Sequence, residues 1–280
     1  MRPEVPPESS RSRTDCASCE LRARRIRACV RVLQAVQDAE VTTRRRQPDL
    51  RRMTGAAALA CVILSWGQFP LWMIGDPPLV YDGAGSARHL LSIKAAVFTR
   101  ILCDLGIYVA LMLFGAGFRQ LIREACAECE WLGTLVFGSA AVWVGVTLVA
   151  DGLEGGAALD AISGAADPSS VRALLEGTLL IYNGSIAFAI TGMFLGAAGY
   201  ATFASGVLPR WTGWVAYGAT VMCVACVPAM YAGPVSYGFY NAGGWGPAII
   251  ANFPPLIWFL CVGVILIRRP RSAASPSTGR

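Results

Sequence analysis

The sequence predicts an all-α, polytopic membrane protein with six transmembrane helices in a bundle and a basic N-terminal cytoplasmic tail. The chain is 55% hydrophobic and only 15% charged, whereas a soluble domain carries about 25% charged residues. After the tail come six apolar runs, each long enough to cross roughly 30 Å of hydrocarbon at about 1.5 Å per residue. The predicted division is a tail over 1–53, a membrane domain over 54–267 and a short basic tail over 268–280.

The N-terminal tail carries the net charge of the chain. Residues 1–54 hold 13 arginines and 7 acidic residues, and the whole chain has a net charge of +6. Residues 16–40 show helical periodicity, which is typical of a basic amphipathic helix on anionic lipid headgroups. The alternative is a solvated, partly helical tail. We do not expect nucleic acid as a partner, because no nucleic-acid-binding motif accompanies the arginines.

The six predicted spans follow from length and hydropathy. The first apolar run is too long and too far from the N-terminus for a cleavable signal peptide, so it is interpreted as a membrane helix. The connections are rich in Gly, Pro, Asp and Ser, as in residues 151–170, and are predicted to be loops. The spans lie at about 54–74, 95–118, 131–150, 178–203, 211–232 and 247–267.

Two local patterns modify these spans. Gly192 and Gly196 form a G-x-x-x-G motif, which predicts close helix packing, either within the chain or in a homo-oligomer. Pro254 and Pro255 predict a kink or break in the last span, because proline lacks a backbone donor and crowds the preceding turn.

The arginines predict the orientation in the membrane. With six spans, both termini lie on the same side, and that side holds 20 of the 24 basic residues. Basic residues are retained in the cytoplasm. We therefore predict a multi-pass protein of the cell inner (plasma) membrane, with both termini cytoplasmic.

Charged residues inside the second span are the main candidates for function. Arg100 and Asp104 are four residues apart and share one helical face. Each would cost about 2.5–3.5 kcal/mol at the centre of a lipid-exposed helix. They are predicted to face the interior and to interact, directly or through Asn183 or water. Glu176, seven residues before Asn183 on the same face, is a further candidate near the external mouth. Such residues indicate solute or proton handling, while a purely structural pair is the alternative.

Three C-x-x-C pairs raise the question of metal or redox chemistry. The first two lie on the predicted cytoplasmic side, which is reducing, so disulfides are disfavoured there. Four thiolates could hold zinc, but no zinc-ribbon pattern surrounds either pair, and we predict no metal; redox activity of the second pair is another alternative. The single histidine and the missing nucleotide and hydrolase motifs predict no cofactor. The pairs are Cys16/Cys19, Cys126/Cys129 and Cys223/Cys226.

Three stretches carry a family likeness. They are FTRILCDLGI, IYNGSIAFAITGMFLGAAGYATFASGVLPRWTGWVAYG and PPLIWFLCVGVILIRR. Over roughly residues 54–269 the chain resembles a bacterial family of six-span membrane proteins classified as a domain of unknown function. The resemblance implies a six-span fold, brings no activity with it, and does not extend to the C-x-x-C pairs or the double proline. The matching positions are Arg100, Asn183, Pro209 and Gly213.

These observations favour a non-enzymatic membrane protein that handles or transports a small solute. Two alternatives stay open. One is a membrane-embedded enzyme with its site around Arg100, Asp104 and Asn183. The other is a membrane-anchored regulatory or interaction protein that acts through its basic tail.

Overall fold

Every regular element in the described part of the chain is helical, which confirms the predicted fold class. Residues 1–49 of the predicted N-terminal tail and the C-terminal tail from residue 269 lie outside that part, and so does the predicted amphipathic helix over 16–40. Residues 50–53 belong to the first helix, which therefore begins earlier than predicted. The computed structural model describes residues 50–74, 82–164, 166–182, 184–233, 239–242 and 244–268.

Six helical segments are long and apolar enough to cross a membrane. We number the α-helices in chain order, and α4 and α5 together make the fourth segment. Two 3₁₀-helices, Ala127–Cys129 and Val227–Ala232, follow α2 and α6. The α-helices are α1 Leu50–Trp72, α2 Gly83–Ala125, α3 Glu130–Ser163, α4 Pro168–Tyr182, α5 Ser185–Ser205, α6 Arg210–Cys226 and α7 Trp245–Arg268.

The second and third helices are much longer than their predicted spans. α2 has 43 residues and α3 has 34, or roughly 64 and 51 Å at the usual helical rise. The predicted loop after residue 150 is wrong, because α3 continues to Ser163. Asp151 and Glu154 are buried there, so their polarity marks an interior face of the helix instead of a turn.

The fourth span is interrupted, although a single helix over 178–203 was predicted. α4 ends at Tyr182 and α5 begins at Ser185. Gly184 has an extended backbone, with φ −113° and ψ −174°. A Cβ atom on Gly184 would lie 2.2 Å from the Leu180 carbonyl oxygen. Glycine is therefore required for the close approach of the chain at this break.

The last span contains no break at its double proline. α7 runs through Pro254 and Pro255. Of the predicted kink or break, the break is therefore wrong, and the kink stays a prediction. Pro255 has no N–H to donate to the carbonyl oxygen of Ala251, four residues earlier. The Cys223 thiol of α6 donates to that oxygen instead, at 3.4 Å. This replacement bond removes one cost of proline inside a membrane helix.

The larger of the two hydrophobic clusters has aromatic side chains from α2, α5 and α7 at its centre. We call this whole cluster the aromatic core. Phe114 and Phe259 approach with ring centroids 5.1 Å apart. The Trp258 indole N–H donates to the Thr212 carbonyl oxygen at 3.1 Å, so its polar atom is satisfied. The fully or almost fully buried rings are Phe114, Phe118, Phe188, Phe194, Trp258 and Phe259.

The outer faces of the helices are apolar. Large aliphatic side chains such as Ile63, Leu102 and Val221 are each more than 60% exposed. A soluble monomer rarely exposes contiguous apolar surface on this scale. With the six long apolar segments, this surface fits an integral membrane protein surrounded by lipid.

Glycines bring helix backbones into close contact within the chain. A Cβ on Gly192 of α5 would lie 3.3 Å from the Val224 side chain of α6, which confirms the predicted intramolecular packing. Gly55 of α1 and Gly263 of α7 face each other. A Cβ on Gly263 would lie 3.0 Å from the Gly55 carbonyl oxygen, and the reverse distance is 2.9 Å.

Replacing Gly263 with valine should destabilise the α1–α7 contact. We expect a cost of about 1–3 kcal/mol, the usual range for overpacking. Gly218→Val is the matched control, since a Cβ on Gly218 of α6 meets no atom within 4 Å. Thermal unfolding in detergent, followed by tryptophan fluorescence, compares the two variants. Equal losses of stability would show that the Gly55–Gly263 contact is unimportant.

Candidate functional site

A layer of polar side chains lies between two apolar clusters. Along α2, Leu90 and Val97 belong to one cluster, and the aromatic core begins at Ala110. Polar residues occupy the interval between them, and α3 has an equivalent polar interval between Ala140 and Ala157. The first cluster, the small apolar cluster, contains Leu90, Val97, Ala157, Ala158, Ala161 and Val171. We call the polar set the polar layer: Gln68, Arg100, Asp104, Tyr108, Asp151, Glu154 and Tyr182.

Helix α2 contributes a stripe of three residues to the polar layer. Arg100, Asp104 and Tyr108 follow each other at four-residue intervals and therefore share one face. They are 4%, 7% and 8% exposed, respectively. The prediction that Arg100 and Asp104 face the interior is confirmed.

The ion-pair partner of Arg100 differs from the predicted one. The guanidinium Nη2 donates to the Glu154 carboxylate of α3, while Asp104 lies close enough only to interact electrostatically. The Trp72 ring covers the guanidinium carbon at 3.8 Å from the ring centroid. A carboxylate on a neighbouring helix can meet the planar guanidinium across the interface, and this explains why Glu154 takes the place expected for Asp104.

Asp104 receives a hydrogen bond from α1. The Gln68 amide nitrogen donates to Asp104 Oδ1 at 2.9 Å. Gln68 is 9% exposed, and its Oε1 atom is buried with no hydrogen-bond partner among the described residues. A buried acceptor without a partner costs free energy. Gln68 Oε1 can therefore still accept a hydrogen bond from a donor.

Two tyrosines hold Asp151. The Tyr108 hydroxyl donates to Asp151 Oδ2 at 2.6 Å, and the Tyr182 hydroxyl donates to Oδ1. The two phenolic oxygens lie 3.1 Å apart. An ionised carboxylate only accepts hydrogen bonds, so both phenols are oriented by it. This triad connects α2, α3 and α4.

The polar layer has an excess of acidic groups. Among its members Arg100 is the one basic side chain, against three carboxyl groups. Glu154 is compensated by Arg100, but Asp104 and Asp151 are held by uncharged donors within the described residues. Buried uncompensated charge is costly in a membrane. We therefore expect the carboxyl groups of Asp104 and Asp151 to be neutralised, either by protons or by a bound cation.

The structure does not join the other two predicted site residues to the polar layer. Asn183 lies outside the described residues. Glu176 is partly exposed and accepts a hydrogen bond from Arg172 at 2.8 Å in an i,i+4 ion pair on α4, so the structure does not bring it to the polar layer. Sequence reasoning missed Asp151 and Glu154 as site residues. Their i,i+3 spacing would place them on one helical face, but only if the helix is known to continue past residue 150.

The second C-x-x-C pair is joined by a disulfide. Cys126 and Cys129 flank a 3₁₀ turn with their Cα atoms 5.3 Å apart, within the usual range for disulfides. The expectation that this pair stays reduced is therefore wrong for this structure. The short turn explains the difference, because it places the two sulfur atoms side by side. Cys223 and Cys226 are buried thiols in α6, as predicted for packing residues.

The structure gives no four-thiolate site in the part of the chain it describes. Cys16 and Cys19, the other half of the predicted zinc alternative, lie outside that part. Within the described ranges no group of three or more histidine, cysteine or acidic side chains is arranged to hold a metal ion.

We expect purified full-length protein to contain no stoichiometric zinc. Cys126 and Cys129 do not ligate zinc while they form a disulfide. After reduction they would supply only two of the four ligands of a closed zinc site, and no third histidine, cysteine or acidic ligand lies beside them in the described chain. Metal analysis of the purified protein tests this expectation. One zinc per chain that is lost in Cys126→Ser would contradict it.

The chain was compared with known families, proteins and structures. No protein family, curated protein or solved structure matches the chain. The resemblance to a six-span bacterial family stays a prediction. The six long apolar helices fit an integral membrane protein, and that is the class to which the chain belongs.

Proposed function

We propose that this protein transports a small polar solute across the membrane and that the polar layer is its binding region. The observation that carries the proposal is the convergence of one guanidinium, three carboxyls and two phenols from three helices, joined by an amide from a fourth. Charged groups inside membrane helices are expensive and typically mark pathways for ions or substrates.

The position of the polar layer supports transport. It lies between the aromatic core and the small apolar cluster, so a solute bound in it has an apolar barrier on either side. Opening one barrier at a time is the requirement for alternating access. The break between Tyr182 and Ser185 adjoins the layer, and interrupted helices are common at transporter binding sites.

Access of water-soluble reagents to the polar layer tests the proposal without knowledge of the solute. Thr178 lies beside the polar layer, four residues before Tyr182 on α4, and donates to the carbonyl oxygen of Ala150, the residue before Asp151, at 3.3 Å. It is 6% exposed. In a background whose native cysteines are replaced, Thr178→Cys should react with a charged, membrane-impermeant methanethiosulfonate reagent. Ala140→Cys is the matched control, because Ala140 is fully buried in the larger core.

The two cysteine variants separate transport from a structural role. If the polar layer opens to water, Thr178→Cys reacts at a measurable rate and Ala140→Cys does not. If the layer only fixes helix packing, both cysteines stay unreactive. The second result would contradict transport through this layer.

We further propose that the protein lies in the cell inner membrane with both termini in the cytoplasm. The helix ends on the side of the termini carry six of the nine arginines in the described part of the chain, and basic ends are retained in the cytoplasm. On the other side, serine hydroxyls at the start of α4 hold the pKa of Asp167 below its ordinary value, which leaves a fixed negative charge there. The basic residues on the cytoplasmic side are Arg51, Arg52, Arg119, Arg123, Arg210 and Arg268.

Reporter fusions check this topology. A periplasm-active phosphatase inserted between α3 and α4 should be active, and a fluorescent protein that matures in the cytoplasm should be bright when fused after residue 280. The inverse pattern would place the termini outside. Activity of the phosphatase at both positions would contradict the six-span count.

A further inference from the structure

We infer that the polar layer binds a small organic monocation that carries N–H donors, a guanidinium being the model ligand. The inference rests on the proposed transport function and names its substrate class. The residues that would contact the cation are Asp104, Asp151, Gln68 and Tyr182.

The polar layer already contains one cation held in this manner. The guanidinium of Arg100 is covered by the Trp72 ring at 3.8 Å and paired with the Glu154 carboxylate. An aromatic face and a carboxylate are the two groups that recognise organic cations in proteins. Arg100 therefore has both an aromatic face and a carboxylate within the layer, while its Nε atom is buried with no hydrogen-bond partner among the described residues.

Asp104, Asp151 and the Tyr182 ring repeat these two kinds of group, but neither aspartate forms an ion pair with a basic side chain among the described residues. Asp104 and Asp151 supply carboxylates, and both are held by uncharged donors. The Tyr182 ring supplies the aromatic surface and lies edge-on to Trp72, with centroids 6.4 Å apart. An organic cation would balance the acidic excess of the layer, whereas an anion would increase it.

Gln68 gives an independent indication of a ligand with N–H groups. Its amide nitrogen is fixed on Asp104 at 2.9 Å, so the oxygen of the same amide is fixed in orientation next to that carboxylate. This oxygen is buried and has no donor within the described chain. A cation with two or more N–H groups could bond both Gln68 Oε1 and Asp104, which a quaternary ammonium ion could not do.

Inorganic cations fit the same groups poorly. Metal ions require several oxygen ligands that converge on one point. No group of three histidine, cysteine or acidic side chains converges in this way within the described residues.

The experiment is a ligand titration on full-length protein in nanodiscs, with thermal unfolding followed by tryptophan fluorescence. The probes are methylguanidinium, tetramethylammonium and sodium, all as chlorides at the same millimolar concentrations. Methylguanidinium should raise the unfolding temperature saturably, because a ligand that binds the folded state stabilises it. Tetramethylammonium, which has no N–H, and sodium should give no saturable rise.

Two variants locate the effect. Asp104→Asn and Asp151→Asn should each raise the apparent Kd for methylguanidinium by roughly tenfold or more, since each removes a charged partner. Arg172→Ala, in the exposed ion pair of α4, should leave the Kd unchanged. If one aspartate variant fails to fold, the other still tests the assignment.

The remaining outcomes overturn the inference. Equal shifts with all three salts would be an ionic-strength effect, and a saturable shift with sodium alone would indicate an inorganic cation. No shift with any salt, combined with a reactive Thr178→Cys, would leave transport intact and reject the cation. If Thr178→Cys is also unreactive, the transport proposal fails as well.

Discussion

Replacing Glu154 with alanine should remove most of the folded protein. The change leaves the Arg100 guanidinium, 4% exposed, without its carboxylate. Breaking a buried ion pair in this way costs about 3–5 kcal/mol, a large part of a total stability of roughly 5–15 kcal/mol. Stacking on Trp72 offsets only about 1–2 kcal/mol.

The double variant Arg100→Leu/Glu154→Ala should recover much of the folded yield, because it removes both charges together. The measurement is the monodisperse fraction in detergent for the wild type, both single variants and the double variant. The matched cycle uses Arg100→Leu with Asp104→Ala, where the structure shows no ion pair, and should give a smaller coupling. Additive effects in the Arg100–Glu154 cycle would contradict the pairing seen here.

Replacing Gly184 with alanine is the second change with a large expected effect. The new Cβ would lie 2.2 Å from the Leu180 carbonyl oxygen and 2.7 Å from its carbon. Because these are backbone atoms, no side-chain rotation relieves the overlap, and the α4–α5 break must change shape. We expect a loss of about 3 kcal/mol, at the upper end of the usual overpacking range.

The control for this change is Gly138→Ala in α3. A Cβ on Gly138 meets no atom within 4 Å, and alanine is favoured over glycine inside a helix by about 1 kcal/mol. The two glycine variants should therefore shift the unfolding temperature in opposite directions. A shift of the same sign in both would show that the close approach at Gly184 carries no constraint.

The fold was predictable because hydropathy and helix length act on long segments. The sequence could not reveal where helices continue beyond the hydrocarbon, since the polar residues that suggested a loop after residue 150 also suit an inward face. Asp151 and Glu154 satisfy their carboxylates on Tyr108 and Arg100, and such contacts depend on how α3 lies against α2. The break at Gly184 was missed for a similar reason, because one glycine in an apolar run does not show which carbonyl approaches it.

The candidate site was predictable in part. Arg100 and Asp104 were identifiable because a charge inside an apolar span requires an explanation. The partners of these two residues could not be derived, because sequence spacing shows which residues are neighbours on the same helix but not which residues on two different helices meet. Gln68 and Tyr182 carried no signal of their own. Uncharged polar residues near helix ends are common in membrane proteins, and their role here follows only from the packing of α1 and α4 against α2 and α3.

Uptake of radiolabelled methylguanidinium into proteoliposomes, driven by a membrane potential negative inside, tests the central claim most directly. Vesicles with wild-type protein should take up the cation faster than protein-free vesicles. Vesicles with Asp151→Asn, checked for the same elution profile as the wild type, should take it up no faster than protein-free vesicles. Equal uptake by the wild type and by folded Asp151→Asn would contradict the claim that the solute passes through the polar layer.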